Sequence, residues 1–310
     1  MIITLTINPA VDQVITVDRL VFEDRAYILD QDDAAGGRGV NASHVVHSLG
    51  GKTLALLTSG GPAGERMEQL LAALKFPFEV VKVRSESRIN LTISDKQGLT
   101  VKLNQKGAPL EKQELREIFK LVEARLPKAR WLMICGSIPP GVNPHFYCEV
   151  ITLAKKLGVK TLLDTDGDAL QHALEVKPTV ITPNQHEAER LLNRAIITRG
   201  QVLEAVERIR AMGPESVILS LGARGALGAG PEGLFEAIPP RIDALCPIGA
   251  GDALAAAFVW GMDKKKTCAD ALRWGVAAGT ATASLPGTQF PTPEQIKAIY
   301  KQVEVRPVSA

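Results

Sequence analysis

Cysteine is scarce in this sequence and poorly placed for metal or redox chemistry. Its four cysteines, Cys135, Cys148, Cys246 and Cys268, share no C-x-x-C spacing. That removes zinc-site and thioredoxin-like readings and fits reduced thiols in a cytosolic protein. Neither sign of charge is in excess, with 36 Lys plus Arg against 34 Asp plus Glu and a net charge of +2. Apart from Lys264-Lys265-Lys266, which reads as a solvated loop, no basic run offers itself to nucleic acid. No apolar run has the length of a membrane span. Met1 to Ile7 alternates and carries no basic leader, so it reads as a first strand and not as a signal peptide. A cytoplasmic protein without membrane or nucleic-acid partners is the expectation. Internal repeats, low-complexity segments and a Pro/Ser-rich linker are also missing, so residues 1–310 are expected to form a single α/β domain.

Two nucleotide signatures are absent as well. Neither glycine-rich segment has the G-x-x-x-x-G-K-[ST] pattern of a Walker P-loop. No G-x-G-x-x-G follows the first strand, which argues against a dinucleotide oxidoreductase. The glycines at Gly222, Gly225 and Gly228 follow a strand, but Gly225 to Ala229 continues as an apolar run typical of a hairpin.

What is present is a repeated alternation of strand and helix patterns. Strands are predicted over 53–59, 131–135, 159–164, 180–182 and 216–221. Helices are predicted over 65–74, 144–157, 187–192, 201–212, 252–260 and 268–283. This order predicts a mostly parallel central sheet flanked by helices. Two stretches, about 14–34 and 87–104, are rich in β-branched residues and lack a helix of their own. They read as antiparallel strands inserted as a small β-sheet lid. Polar and glycine-rich junctions at 136–141, 164–167, 182–187 and 221–225 fall at the carboxyl ends of strands, where open α/β sheets bind ligands.

Two glycine-rich segments carry the chemistry. In Gly249-Ala250-Gly251-Asp252, a turn runs straight into a small, apolar helix. Unpaired amides and the helix dipole attract an anion there, and glycine permits close approach. A carboxylate at that place makes sense as a base that takes a proton from an attacking hydroxyl while the amides hold a phosphoryl group. Asp252 as a plain helix cap is the alternative. The second segment, Gly36-Gly37-Arg38-Gly39-Val40-Asn41, precedes a helix bearing His44 to Leu49, and Asn41 offers both a donor and an acceptor. Asp12 follows the first strand and suits sugar hydroxyls as well as plain turn chemistry. Arg88 and Asn90 alternate on one face of a lid strand, with Lys102 on the next strand. Two neighbouring cations suit a phosphate already on the substrate, and charge on an edge strand is also common protection. His44 and His47 lie one turn apart without an evident third metal ligand.

Together, Gly36-Gly37-x-Gly39-x-Asn41 and Gly249-Ala250-Gly251-Asp252 resemble the two signatures of the ribokinase-like (PfkB) carbohydrate kinases, in family order and over nearly the whole chain. Thr6 to Asp12, Ser87 to Asn90, Gly136 to Gly141 and Pro183-Asn184-x-x-Glu187 are similar to the branch of 1-phosphofructokinase, tagatose-6-phosphate kinase and the minor 6-phosphofructokinase. The resemblance implies a ribokinase-like fold, ATP and Mg²⁺. It implies Asp252 as catalytic base, with Gly249, Ala250 and Gly251 forming the anion hole. It places Asp12, Gly36, Gly37, Arg38, Asn41, Arg88, Asn90, Lys102 and Ser137 at the sugar phosphate. Asn184, Ser220, Gly222, Gly225, Val276 and Thr280 would lie at ATP, with Asn184 and Glu187 organising the metal partly through water. Three departures stand out: Arg38, Arg25 and Thr182 occupy positions where relatives often carry lysine. They leave the kinase expectation intact and the position of the sugar's phosphate open.

The expected activity is therefore ATP-dependent phosphorylation of a ketohexose monophosphate: fructose 1-phosphate, fructose 6-phosphate or tagatose 6-phosphate. Alternatives are a kinase for an unphosphorylated sugar or nucleoside, and a non-catalytic sugar-phosphate sensor on the same fold. A homodimer through the lid is the expected assembly.

Overall fold

A computed structural model describes residues 1–21 and 23–308. Phe22, inside the expected 14–34 segment, and Ser309 and Ala310 lie outside the described residues. The chain begins with β1 (Ile2–Thr6), β2 (Ala10–Val17), β3 (Ile28–Gly36), α1 (Arg38–Ser48), β4 (Thr53–Ser59), α2 (Gly61–Ala73) and β5 (Phe78–Lys82). It continues through β6 (Arg88–Asp95), β7 (Thr100–Asn104), α3 (Lys112–Arg125), β8 (Trp131–Cys135), α4 (Phe146–Lys156), β9 (Lys160–Asp164) and α5 (Gly167–Glu175). Then come β10 (Val180–Ile181), α6 (Gln185–Leu192), α7 (Arg199–Ala211), β11 (Ser216–Ser220), β12 (Ala226–Gly230) and β13 (Gly233–Ile238). The chain closes with α8 (Ala250–Asp263), α9 (Cys268–Ala283), α10 (Pro293–Tyr300) and β14 (Glu304–Pro307).

The large sheet runs β14-β13-β12-β11-β10-β9-β8-β1-β4-β5. From β11 to β5 its pairs are parallel, and β12 to β14 add an antiparallel edge. Strands β1, β4 and β8 are buried along their whole length, as expected for parallel strands covered on both faces. Ile3 and Leu5 point into a core shared with α3 to α7, whereas Ile2 points into the opposite core with α1, α8, α9 and α10. Helix α8 is apolar almost all round, which marks a core helix. Its alanines let α9 approach closely: a side chain on Gly279 would begin 2.9 Å from the Ala250 carbonyl. Helix α1 is pinned to the sheet by buried hydroxyls, Ser43 lying 2.9 Å from both Thr4 and Thr53.

The two inserted segments form a separate sheet in the order β3-β2-β6-β7. The purely antiparallel expectation is corrected. Strands β2–β3 and β6–β7 are antiparallel hairpins, but β2 and β6 pair in parallel. Both strands leave the same rim of the large sheet, so they run side by side in one direction. The base of this sheet packs through Val11, Ala35 and Ile89 against Ala63 and Met67 of α2. Tyr27, Ile28 and Leu103 remain exposed on it. Among the described residues no helix is long and apolar enough to cross a membrane.

The α8–α9 seam fixes where α8 begins. Gly279→Val should cost about 1–3 kcal/mol by overpacking, read as a lower melting temperature. An unchanged melting temperature would show that the seam has slack.

Candidate active site

The glycine-rich segment after β3 is compressed between neighbours. A side chain on Gly36 would overlap the Asp12 carboxylate, and one on Gly39 would overlap the Thr6 hydroxyl beneath it. Gly37 has φ +120 and caps α1. The helix starts at Arg38, earlier than the sequence suggests, so Arg38 and Asn41 both lie in its first turns. At the other glycine turn, Gly249 is left-handed with φ 75 and caps α8, whose first turn holds Ala250, Gly251 and Asp252. Apart from the helix's own backbone, no described atom lies within 4 Å of where a Gly251 side chain would begin, so the turn is open there, while the Ala250 amide donates to the Pro247 carbonyl at 3.3 Å. Asp252 is not the cap, because it lies within the helix. The two helix starts are joined by one bond, Asn41 Nδ2 donating to Asp252 Oδ2 at 2.7 Å.

Asp252 is partly exposed. Its pKa is nonetheless pushed up to about 7, first by burial of the carboxyl group and then by the neighbouring Asp164 carboxylate. Arg38 and the Asn41 hydrogen bond oppose the rise. Arg38 reaches Asp164 at 2.9 Å, Asp166 at 3.2 Å and Glu187 at 3.5 Å. The Asp164 carboxylate above all, and then Asp252, Glu187 and Asp166, raises the pKa of the Arg38 guanidinium despite its burial. Burial raises Glu187 in turn. Asn184 caps α6, accepting from Glu187 N at 2.9 Å, while Glu187 Oε2 accepts from Asn184 N at 2.8 Å. Asn184 is also bridged to Ser220 at the end of β11. Gly222 is exposed beside it, whereas Gly225 is buried. On α9, Val276 is buried and Thr280, one turn on, is partly exposed.

The small sheet brings Asp12 and Asn90 together, with Asn90 Nδ2 donating to Asp12 Oδ1 at 2.8 Å. Burial raises the Asp12 pKa, against the pull of Asn90 and Arg88. Arg88 donates to the backbone carbonyls of Asn8 at 3.1 Å and Gln105 at 2.9 Å. Asn8 itself donates to Ser137 Oγ and to the Lys106 carbonyl, both at 3.0 Å. A cavity of about 380 Å³ opens beside Arg88, lined also by Ser87, Gln105 and Lys106.

The expected pairing of Arg88 with Lys102 does not occur. Register sets Lys102 opposite Thr92, four residues and about 13 Å along the strand from Arg88. Lys102 is exposed there. Arg25 is exposed in the β2–β3 connection, and Thr182 Oγ1 is buried without a partner among the described residues. Sequence reasoning gives no role to Asn8, Asp164 or Asp166. The two aspartates sit in a junction marked as a strand end, and that position is the one signal available for them. Asn8 carries no separable signal, because its bonds reach residues 98 and 129 positions away.

A raised pKa means that the folded chain holds the Asp252 proton more tightly than the unfolded one. The stabilisation from Asp252 is complete below about 3.8, the free aspartate value, and is lost as pH rises through about 7. Asp252→Asn should therefore gain melting temperature over the natural chain as pH rises from about 4 to 8. A difference that stays constant across this range would contradict the raised pKa.

Residues 6–295 match the family described as pfkB family carbohydrate kinase. The chain is 31% identical over 284 residues to the 1-phosphofructokinase of Borreliella burgdorferi, covering 91% of this chain and 92% of that one. It is 29% identical over 308 residues to the tagatose-6-phosphate kinase of Staphylococcus epidermidis, covering 98% and 99%. The crystal structure of Escherichia coli phosphofructokinase-2 in complex with fructose-6-phosphate superposes with a TM-score of 0.89 at 28% identity, over 97% of this chain and 98% of that one. With the ribokinase-like fold and both glycine-rich segments in place, this chain belongs to the pfkB family of carbohydrate kinases.

Proposed function

We propose that the chain transfers the γ-phosphoryl group of ATP to a hydroxyl of a ketohexose monophosphate, giving the bisphosphate and ADP. The observation that carries this reading is Asp252, held by Asn41 in the first turn of α8 beside a glycine turn that is open at Gly251. Asn41 occupies Oδ2, which leaves Oδ1 to accept the proton of the attacking hydroxyl. The new bond forms between that oxygen and the γ-phosphorus as the bond to the β-bridging oxygen breaks. The amides of the turn stabilise charge on the transferring group. A base with a pKa of about 7 suits proton transfer near neutral pH.

Asp12, Asn90, Gly36, Gly37 and Asn41 are our candidates for orienting the sugar, with Arg88 and Ser137 beside its phosphate. Arg88 borders open space, which supports a phosphorylated acceptor. Lys102 lies on the same face as Asn90 but further out, and is kept only as an outer contact. Ser220, Gly222, Gly225, Val276 and Thr280 are assigned to the nucleotide.

Among the described residues no three acids, histidines or cysteines are arranged to hold a metal ion alone. Glu187 and Asn184 supply hard oxygens, and Glu187 already accepts from Asn184 N. Such a site fits Mg²⁺, which keeps waters and phosphate oxygens as most of its ligands. When bound, the ion would neutralise phosphate charge. The exposed Tyr27, Ile28 and Leu103 on the small sheet suit contact with a second copy.

The test is initial-rate ADP release with ATP and Mg²⁺ against fructose 1-phosphate, fructose 6-phosphate, tagatose 6-phosphate, free fructose, ribose and adenosine. Preference for one ketohexose phosphate is expected. Sugar-phosphate binding without turnover would instead indicate a sensor. Asp252→Asn should lower kcat by about 10²–10⁴ with little change in the sugar-phosphate KM, and a variant within threefold of the natural chain would remove Asp252 from the base role. Below about pH 7 the natural chain's kcat/KM should fall about tenfold per unit, with a plateau above. Arg88→Ala should raise the sugar-phosphate KM by about 10- to 100-fold and leave the ATP KM unaltered. An unchanged sugar-phosphate KM would point to an unphosphorylated acceptor.

A further inference from the structure

Arg38 is wedged among acids contributed by two other parts of the chain. Asp164 ends β9, Asp166 follows two residues later and Glu187 lies in the first turn of α6. Their oxygens stand 2.9, 3.2 and 3.5 Å from the guanidinium. The side chains of Asp164 and Glu187 are only 9% and 4% exposed. Burying two carboxylates side by side is costly unless a cation lies among them. Hard oxygens from one strand end and a helix start would otherwise make a usual donor set for Mg²⁺ or Mn²⁺. Yet among the described residues they do not converge as metal ligands. The shape of the cation accounts for this. Nη1 takes Asp164, while Nη2 takes both Asp166 and Glu187. A planar fork spreads its partners around an edge instead of gathering them about a point.

We propose that the Arg38 guanidinium stands in for a divalent cation among Asp164, Asp166 and Glu187, as a positioning residue that keeps this cluster closed to free metal. The inference concerns the nucleotide-free chain and does not depend on the kinase reading. If that reading also holds, the divalent ion enters the site with the nucleotide and not ahead of it.

Electron paramagnetic resonance of Mn²⁺ reads binding directly in the full chain without nucleotide. The natural chain should show no site tighter than about 1 mM. Arg38→Met should gain one site, about tenfold tighter or more, because it removes the competing charge from three ligands. Mn²⁺ should also raise its melting temperature but not that of the natural chain. Arg38→Lys keeps the charge and should gain no site. Adding Asp166→Asn to Arg38→Met should abolish the gain. The proposal is overturned by a folded Arg38→Met with no added affinity for Mn²⁺, or by an equal gain in Arg38→Lys. A tight site in the natural chain that Asp166→Asn removes would also overturn it. So would an Arg38→Met chain that stays unfolded with Mn²⁺ present, because a cation equivalent to the guanidinium would restore it.

Discussion

An imbalance of charge at one rim of the large sheet governs this molecule. Asp12, Asp164, Asp166, Glu187 and Asp252 are coupled there to two guanidiniums, Arg38 and Arg88. With every acid ionised, five negative charges against two positive leave three uncompensated. Burial raises the pKa of Asp252, Asp12 and Glu187, and neighbouring carboxylates add to the rise at Asp252 and Glu187. The protein also arrays hydrogen-bond donors around what remains. A polyphosphate entering such a site needs positive charge that the side chains do not fully supply. In the proposed reaction the amides at the start of α8 would provide part of it, and a divalent ion arriving with the phosphates would provide more.

The architecture serves that electrostatic arrangement. Helices α1 and α8 begin side by side and are tied at Asn41 and Asp252, so a shift in either helix start moves the carboxylate. Arg38, at the head of α1, binds the same element to the end of β9 and the start of α6. Arg88, Asn8 and Ser137 join the small sheet to the rim through backbone carbonyls and a hydroxyl. Motion of the small sheet is thereby linked to the rim at Asn8 and Ser137, while Arg38 links α1 to the end of β9 and the start of α6. Asp12 against Gly36 is where β2 presses on the segment that leads into α1.

Much of this is legible in the sequence where its cause is local. The helix over 268–283 matches at both ends, because its pattern and flanking turns sit in one window. The turn at Gly249 to Asp252 is equally legible, since a glycine run, a small-residue helix and one acid carry their chemistry together. The sequence understates α8, which extends from Ala250 to Asp263, and it leaves α3, α5 and α10 unread. Register is not local. Whether Lys102 meets Arg88 depends on how β6 and β7 align, and the alignment separates them. The partners of Arg38 lie 126 to 149 residues away, so no spacing rule reaches them. The parallel pairing of β2 and β6 likewise follows from both hairpins leaving one rim, which composition does not encode.

Phosphorus NMR of ATP and Mg²⁺ with a ketohexose phosphate, run on the natural chain and on Asp252→Asn, tests the central claim most directly. The account predicts bisphosphate and ADP resonances growing together in the natural chain, with both slowed in the variant. Release of inorganic phosphate from ATP regardless of the sugar, or equal bisphosphate formation by the two chains, would contradict it.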